Sequence, residues 1–346
     1  MKTNVQAPKI LFEKLGTAGV VTFNRPKFNP VNYSVSAQLH HALASWERSC
    51  SRVLFKGAGG NFSAGGDFKW LLSSDREPTK YAYMSSESNN KYRISQNRIP
   101  YVAFMDGAVL GVALMLVAHA KYRVVTERTV VAMPEARFGW LSSGPHFLPK
   151  LDNHLGFFMS MTGKLLKSKD VMLAGMATHF VPSARLQELE LELISCNVED
   201  IETRLNSFSE PIGEFTLAPH IKDIDYCFSA DTVEEIIERL SKMDCEWSKE
   251  VLEMMAPLCP TMLKVTLKVM RLGKTLDLKN ALRMTYRVLS RCVGSYNAQE
   301  GLRALLAGEA DHPNWQPRRL EEVTDVMVDK YFEPLPEGEE LRLYDD

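Results

Sequence analysis

The chain has 346 residues, of which 45% are hydrophobic and 24% are charged, and its formal net charge is −2. This composition is ordinary for a folded globular protein, and it argues against a disordered chain or a wholly basic nucleic-acid binder. No apolar run approaches the ~20 residues of a membrane span, so we expect no membrane insertion. The six cysteines are scattered without C-x-x-C spacing, which favours reduced thiols over a disulfide framework or a zinc site.

The beginning of the chain predicts short strands alternating with helices. Two apolar runs at residues 10–13 and 19–23 predict a hairpin. Apolar residues at helical spacing between 35 and 46 predict an amphipathic helix. Residues 53–55 predict the next strand, and this strand leads into a glycine turn at residues 63–67. Residues 67–97 are polar and poorly periodic, so periodicity predicts neither a helix nor a strand there.

Residues 101–135 contain the strongest candidate for chemistry. An apolar run between Pro100 and Gly107 predicts a buried strand, and Gly111 precedes a run that predicts a buried helix. Glu135 follows a further predicted strand. A glutamate in such a place is more often solvated than catalytic, but here two glycine turns accompany it. Backbone N–H groups from two turns can converge on one oxygen and form an oxyanion hole.

The second half of the chain predicts mainly helices. The patterns place them at residues 155–162, 166–174, 183–207, 246–255, 261–272 and 278–293. Two caps are predicted in addition, Ser168 for the second of these helices and Asp231 for a helix that runs to residue 243. Residues 208–219 form a connector broken by proline and glycine. We therefore predict a core at residues 1–207 and a helical region at 208–346 that packs on it.

Three segments, FKGAGGNFSAGGDF, IPYVAFMDGAVLG and VVAMPEARFGW, resemble the crotonase (enoyl-CoA hydratase/isomerase) superfamily. Others, including FNRPKF, APHIKDIDYCFSADTVEEII, CPTMLKVTLKVM and AQEGLRALL, resemble its 3-hydroxyisobutyryl-CoA hydrolase branch. The resemblance spans nearly the whole chain. It implies an α/β fold, a spiral of ββα units followed by a C-terminal helical region, and hydrolysis of an acyl-CoA thioester in valine breakdown.

The resemblance also implies roles for individual residues. The amides of Gly66 and Gly111 would hold the thioester oxygen, and Glu135 would act as a nucleophile or as a base toward water. The backbone at Ala64, Gly65 and Gly66 would contact coenzyme A, which is part of the substrate, and no other cofactor or metal is implied.

In this branch a helix in the region of residues 67–97 carries a glutamate that faces the acyl end of the substrate, and Glu87 is the nearest match to that glutamate. A solvated carboxylate in a loop is the alternative.

One departure from the branch concerns the same pocket. Ser143 stands where the branch has an aspartate, and serine does not ionise near neutral pH. Ser143 is a candidate substrate-binding residue. Because it replaces an ionisable aspartate, we predict that hydrolysis is weak or lost. The alternative is a non-catalytic structural protein on the same fold, such as a component of the mitochondrial ribosomal small subunit. Mitochondrial residence is implied by the resemblance, although the N-terminus has no clear presequence, and a cytoplasmic location is the other possibility.

Arg283, Arg287 and Arg291 recur at intervals of four residues, so they lie along one edge of a predicted helix. A solvated face, a site for coenzyme A phosphates and a contact with RNA or protein all fit this pattern. We favour an exposed stripe remote from the pocket that contacts a partner. The oligomeric state stays open.

Overall fold

A computed structural model describes residues 8–72, 77–142, 144–308 and 312–346. In these ranges the strands are β1 (Ile10–Leu15), β2 (Ala18–Phe23), β3 (Arg52–Gly57), β4 (Tyr101–Met105), β5 (Ala108–Leu110), β6 (Tyr122–Val125), β7 (Val130–Ala132), β8 (Leu166–Lys167) and β9 (His179–Phe180). The helices are α1 (Tyr33–Trp46), α2 (Phe68–Leu71), α3 (Glu77–Ser95), α4 (Val112–Val117), α5 (Leu155–Thr162), α6 (Lys169–Leu173), α7 (Leu186–Ser195), α8 (Ile201–Phe208), α9 (Ile221–Phe228), α10 (Val233–Met243), α11 (Glu246–Met255), α12 (Pro260–Thr275), α13 (Leu278–Val293), α14 (Tyr296–Ala307) and α15 (Asp325–Asp329).

The strands form two sheets. The larger has the order β1-β2-β3-β4-β6-β9, in which only the β1–β2 hairpin is antiparallel. The smaller has the order β5-β7-β8, with β5 and β7 parallel. Because parallel strands need crossover connections, helices cover both faces of the larger sheet. The predicted α/β fold, with its strand–strand–helix units and C-terminal helices, is confirmed.

The alternation of side chains along β3 separates two hydrophobic cores. Val53 and Phe55 point into the main core, and Leu54 points into a smaller core on the opposite face. Leucines and isoleucines of α7 and α8 fill the smaller core. Buried residues of α9 to α14 belong to the main core, so these helices share it with the sheet. The division of the chain at residue 207 stays a prediction.

Residues 67–97, which show no apolar periodicity, contain the helix α3 over most of their length. The resemblance to the hydrolase branch, which has a glutamate on a helix in this region, predicts this element. Apolar periodicity does not reveal this helix, because polar side chains fill its buried face. Ser88, Asn89, Asn90 and Lys91 are all buried. The amide of Asn90, for example, donates to the backbone oxygen of Ser36 at 3.0 Å. Such a face gives no apolar periodicity, because its buried positions are polar.

Two predicted helix starts also need correction. Residues 166 and 167 form β8, so the helix predicted from 166 begins as α6 at Lys169, and the side chain of Ser168 makes no capping bond. Helix α10 is capped by Thr232, whose hydroxyl accepts from the amide of Glu235, instead of by Asp231. The later helices α11, α12 and α13 lie where the periodicity places them. Within the described ranges, no helix is both long and apolar enough to cross a membrane.

Candidate active site

A cavity of about 630 Å³ lies beyond the ends of strands β3, β5 and β7. These parallel strands deliver the glycine turn at residues 63–67, Gly111 and Glu135 to one place, because each segment follows the carboxyl end of its strand. The pairing of Leu110 with Ala132 in the β5–β7 ladder brings the last two segments side by side. The sequence-predicted residues Ala64, Gly65, Gly66, Glu87, Gly111 and Glu135 all line this cavity.

The amide of Gly66 is the unpaired one in its turn. The N–H of Ser63 donates to Ala108, that of Ala64 to Phe28 and that of Asp67 to Val31, at 2.8 to 2.9 Å. Gly65 donates to the hydroxyl of Ser63 at 3.1 Å. Among the described residues, no acceptor pairs with the N–H of Gly66. A backbone donor at a cavity wall without a partner is suited to bind a carbonyl oxygen of a ligand.

The expectation that Gly111 supplies the second amide needs correction. The N–H of Gly111 donates to the backbone oxygen of Ala132 at 3.0 Å, which continues the β5–β7 ladder. The next residue, Val112, begins α4 and lines the same cavity. Its N–H has no acceptor in the described part of the chain, as expected for the first residue of a helix. The second free donor at the cavity therefore belongs to Val112.

The two turns that carry these amides are in close contact. A Cβ atom at Gly65, where φ is +88°, would lie 2.7 Å from the oxygen of Leu110 and 3.6 Å from the nitrogen of Val112. Only glycine fits at this position, since any side chain would force the two turns apart. The approach of the backbones holds the amides of Gly66 and Val112 at one end of the cavity.

Glu135 begins a 3-10 turn after β7, and its carboxyl group lies against Gly111. It is 8% exposed, and its Oε2 has no hydrogen-bond partner among the described residues. Burial raises the pKa of Glu135 to about 8, whereas its own backbone amide and the charge of Lys91 lower it. A carboxyl group with a perturbed pKa in a cavity is typical of an active site.

Comparison with known proteins also supports the assignment of this cavity as an active site. Residues 18–332 match the family model described as enoyl-CoA hydratase/isomerase. The chain is 36% identical to the protein named 3-hydroxyisobutyryl-CoA hydrolase, mitochondrial, from Gallus gallus, over 95% of this chain and 90% of that one. The protein of the same name from Homo sapiens is also 36% identical, over 95% and 89% of the two chains.

Among solved structures, a carnitinyl-CoA dehydratase from Mycobacterium thermoresistibile superposes with a TM-score of 0.90 at 31% identity, covering 98% of this chain and 99% of that one. The chain belongs to the enoyl-CoA hydratase/isomerase (crotonase) family, in its 3-hydroxyisobutyryl-CoA hydrolase-like branch. The relatives of this branch are named as mitochondrial proteins.

In this crotonase-family chain Glu87 lies on α3 and is 2% exposed, so the alternative of a solvated loop carboxylate is wrong. Its side chain hydrogen-bonds with Ser36, while Oε1 has no partner among the described residues. Burial raises the pKa of Glu87, and the charge of Lys91 and the bond with Ser36 lower it. An unsatisfied carboxyl oxygen at a cavity wall is free to bind a polar group of a ligand.

Sequence reasoning missed Lys91, a buried lysine one helical turn after Glu87. It is 6% exposed, lines the cavity, and faces Glu87 and Glu135 closely enough for both to act on its charge. Burial lowers the pKa of Lys91, and the two carboxyl groups raise it. The available signal was a lysine four positions after a candidate glutamate. This spacing places the two side chains on one face only in a helix, and the polar segment has no apolar periodicity that would predict one.

Basic side chains and one apolar side chain, Phe28, surround the mouth of the cavity in this crotonase-family fold. Arg25 donates to Asp67 at 2.7 Å, and Asp67 in turn caps α2 by accepting from the amide of Trp70. Lys27 and Phe28 are exposed beside this pair and also line the cavity. Exposed cations at a cavity mouth can form charge-assisted hydrogen bonds with the phosphates of a bound nucleotide.

Ser143, the substituted position of the branch, lies outside the described residues, so its predicted contact with substrate stays a prediction. Its neighbour Ser142 is buried, and the hydroxyl of Ser142 lies 3.4 Å from that of Ser160.

The expected exposed stripe on α13 is instead covered by the C-terminal tail. Arg283 pairs with Asp346 at 2.7 Å, and Arg287 pairs with Glu340 at 2.8 Å. Arg291 donates to the backbone oxygen of Pro334 at 3.0 Å. The prediction of an exposed stripe is therefore wrong. The prediction that it lies away from the cavity is confirmed, because Leu282, Thr285 and Leu289 are the α13 residues that line the cavity.

Proposed function

We propose that this protein hydrolyses the thioester bond of 3-hydroxyisobutyryl-CoA, releasing the free acid and the thiol of coenzyme A. The observation that carries the proposal is the pair of unpaired amides, from Gly66 and Val112, at a cavity that also holds the buried Glu135. This donor arrangement suits the oxygen of a thioester carbonyl as negative charge develops on it. The names of the relatives support the same substrate.

In the proposed reaction the thioester oxygen accepts hydrogen bonds from both amides. Glu135 then either attacks the carbonyl carbon or removes a proton from the attacking water. In the first route a mixed anhydride with Glu135 forms as the thiolate leaves. Water then hydrolyses the anhydride, which releases the acid and restores the Glu135 carboxylate, and a proton from this water neutralises the thiolate. In the second route the hydroxide adds to the carbonyl carbon, the carbon–sulfur bond breaks, and Glu135 passes the proton it took from water to the departing thiolate. Each route consumes one water molecule. Removing one oxyanion-hole donor typically costs ~3 kcal/mol of transition-state stabilisation, so each of the two amides is expected to contribute about this much. Backbone and side chains suffice for this chemistry, and coenzyme A enters only as part of the substrate.

We propose further that Glu87 binds the 3-hydroxyl group of the acyl chain. The unsatisfied Oε1 and the near-complete burial of Glu87 support this role. A site built to hydrogen-bond a hydroxyl rejects analogues that lack it, since its buried polar group is then left unpaired. The glycine turn at residues 64–66 and the exposed Lys27 would contact the coenzyme A portion. By analogy with the named relatives, we place the protein in mitochondria.

The alternative of a non-catalytic structural protein, with a partner bound through Arg283, Arg287 and Arg291, has no observation in its favour. Their pairing with the protein's own C-terminal tail weighs against it, since an RNA or protein partner would have to displace Glu340 and Asp346. Retention of RNA at physiological salt, lost when the three arginines are changed to glutamine, would favour this role.

The proposed activity is tested by release of coenzyme A thiol from 3-hydroxyisobutyryl-CoA, with isobutyryl-CoA as the matched substrate that lacks the hydroxyl. Hydration of crotonyl-CoA is measured beside it, because a solved neighbour is titled an enoyl-CoA hydratase. We expect hydrolysis of the hydroxylated thioester, slower hydrolysis of isobutyryl-CoA and no hydration. Hydration without hydrolysis would overturn the proposal.

A further inference from the structure

Lys91 is a buried cation that the proposed reaction does not yet use. It lines the cavity one helical turn from Glu87, and in the part of the chain that the structure describes it forms no direct ion pair. A buried ammonium without a close counter-ion is costly, and proteins rarely retain one without a use. The two carboxyl groups that act on it are Glu87, from its own helix, and Glu135, from the 3-10 turn across the cavity.

On its other side, Lys91 lies near two histidines. A second cavity of about 20 Å³ is lined by Lys91, His119 and His146. Burial lowers the pKa of His119 to about 4, and burial and the charge of Lys150 lower the pKa of His146. Both rings are therefore neutral near pH 7. This leaves Lys91 as the cation that acts on Glu135 from inside the pocket.

Glu135 needs such a cation. Its carboxyl group is buried and one of its oxygens has no partner among the described residues, so the fold around it favours the neutral acid. Nucleophilic attack on the thioester and proton removal from water both require the carboxylate. Among the charged groups in the described ranges, Lys91 alone lowers the pKa of Glu135.

We propose that Lys91 is a positioning residue for Glu135: its ammonium, inside the same cavity, increases the fraction of Glu135 in the carboxylate form that thioester hydrolysis requires. The role in catalysis rests on the proposed function, whereas the effect on Glu135 does not. The small cavity beside the histidines has room for about one water molecule, which would help to solvate the ammonium.

The test measures the protonation of Glu135 directly. Infrared spectra of the full chain between pH 5 and 11 contain a carboxylic-acid carbonyl band, and the part that Glu135→Gln removes belongs to this residue. A nearby opposite charge lowers the pKa of a carboxyl group by about 1–3. We therefore expect Lys91→Met to move the midpoint of this band upward by at least one pH unit, and Lys91→Arg to bring the midpoint most of the way back.

Lys80→Met is the matched control, because Lys80 is a buried lysine of the same helix that does not line the cavity. It should leave the midpoint unchanged. Circular dichroism and thermal unfolding check that each variant is folded. An unchanged midpoint in folded Lys91→Met, or an equally raised midpoint in Lys91→Arg, would overturn the inference. If Lys91→Met does not fold, Lys91→Gln replaces it with the same expected change of midpoint.

Kinetics separate this inference from the proposed function. The acidic limb of the pH profile of kcat/KM should move with the infrared midpoint, so that Lys91→Met loses about tenfold at pH 7 for each pH unit by which the midpoint rises. If kcat/KM falls only because KM rises, and the acidic limb of the pH profile does not move, Lys91 binds substrate. This result would overturn the positioning role. If the unmodified protein hydrolyses no thioester, the proposed function fails, but the infrared midpoint still decides the effect of Lys91 on Glu135.

Discussion

Oε1 of Glu135 occupies the space that a side chain at Gly111 would need. A Cβ atom at position 111 would collide with this oxygen, and φ at Gly111 is +52°. The contact follows from the parallel pairing of β5 and β7, which places the residue after one strand beside the turn after the other. Glycine at 111 therefore serves the placement of the acid, while the free amide comes from Val112.

We predict that Gly111→Ala abolishes most thioester hydrolysis. The new methyl group must push the Glu135 carboxyl group from its place, and a displacement of about 1 Å can reduce a rate by about 100-fold. Steady-state rates with 3-hydroxyisobutyryl-CoA measure the loss.

Gly16→Ala provides the control for backbone strain. Gly16 also has a positive φ, +61°, but nothing lies within 4 Å of a Cβ there. Both variants should lose stability, by about 1–2 kcal/mol for the unfavourable φ. Only Gly111→Ala should lose activity. An active Gly111→Ala enzyme would contradict the contact with Glu135.

The stability of the protein should fall as pH rises because of Glu135. Burial raises its pKa from 4.5 to about 8, so between these values the folded state binds more protons than the unfolded state. Unfolding free energy then decreases with pH, by at most about 1.4 kcal/mol per pH unit from this one group. Urea unfolding of the wild type and Glu135→Gln at pH 5, 6, 7 and 8 should give a smaller decrease in the variant. Identical pH dependence would contradict the raised pKa.

The C-terminal tail should stabilise the fold mainly through apolar contacts. Leu343 is 3% exposed in the main core, so Leu343→Ala should cost about 2–5 kcal/mol. The ion pair of Arg283 with Asp346 is half-exposed, and Arg283→Gln should cost less than about 1 kcal/mol. Denaturant midpoints of the two variants give the comparison. A larger cost for Arg283→Gln would mean that the stripe, and not the leucine, anchors the tail.

Apolar periodicity was enough to predict the hairpin of β1 and β2, the helix α1 and the long C-terminal helices. It failed for α3, because polar residues that bond with Ser36 and with the tail fill the buried face of that helix. The same failure hid Lys91, whose importance depends on Glu135, more than forty positions away in the chain. Motif resemblance located both glycine turns and the acid.

What resemblance to a motif could not predict was which amide of a turn stays free. Gly111 and Val112 are adjacent, and a ladder bond from Gly111 to Ala132 decides between them. Likewise, the spacing of Arg283, Arg287 and Arg291 places them on one edge of a helix but does not reveal what covers that edge. The acidic tail, some fifty residues later, pairs with two of them. Both outcomes depend on contacts between segments that are distant in sequence.

The most direct test of the account is hydrolysis of 3-hydroxyisobutyryl-CoA by the wild type and Glu135→Gln at the same pH, with coenzyme A thiol release as the readout. Calorimetric binding of coenzyme A to both proteins checks that the cavity is intact. We predict measurable turnover by the wild type and a loss of at least about 1,000-fold in the variant, with coenzyme A binding retained. Equal turnover by the two proteins, or none by the wild type, would contradict the assignment of this cavity as a thioester hydrolase site.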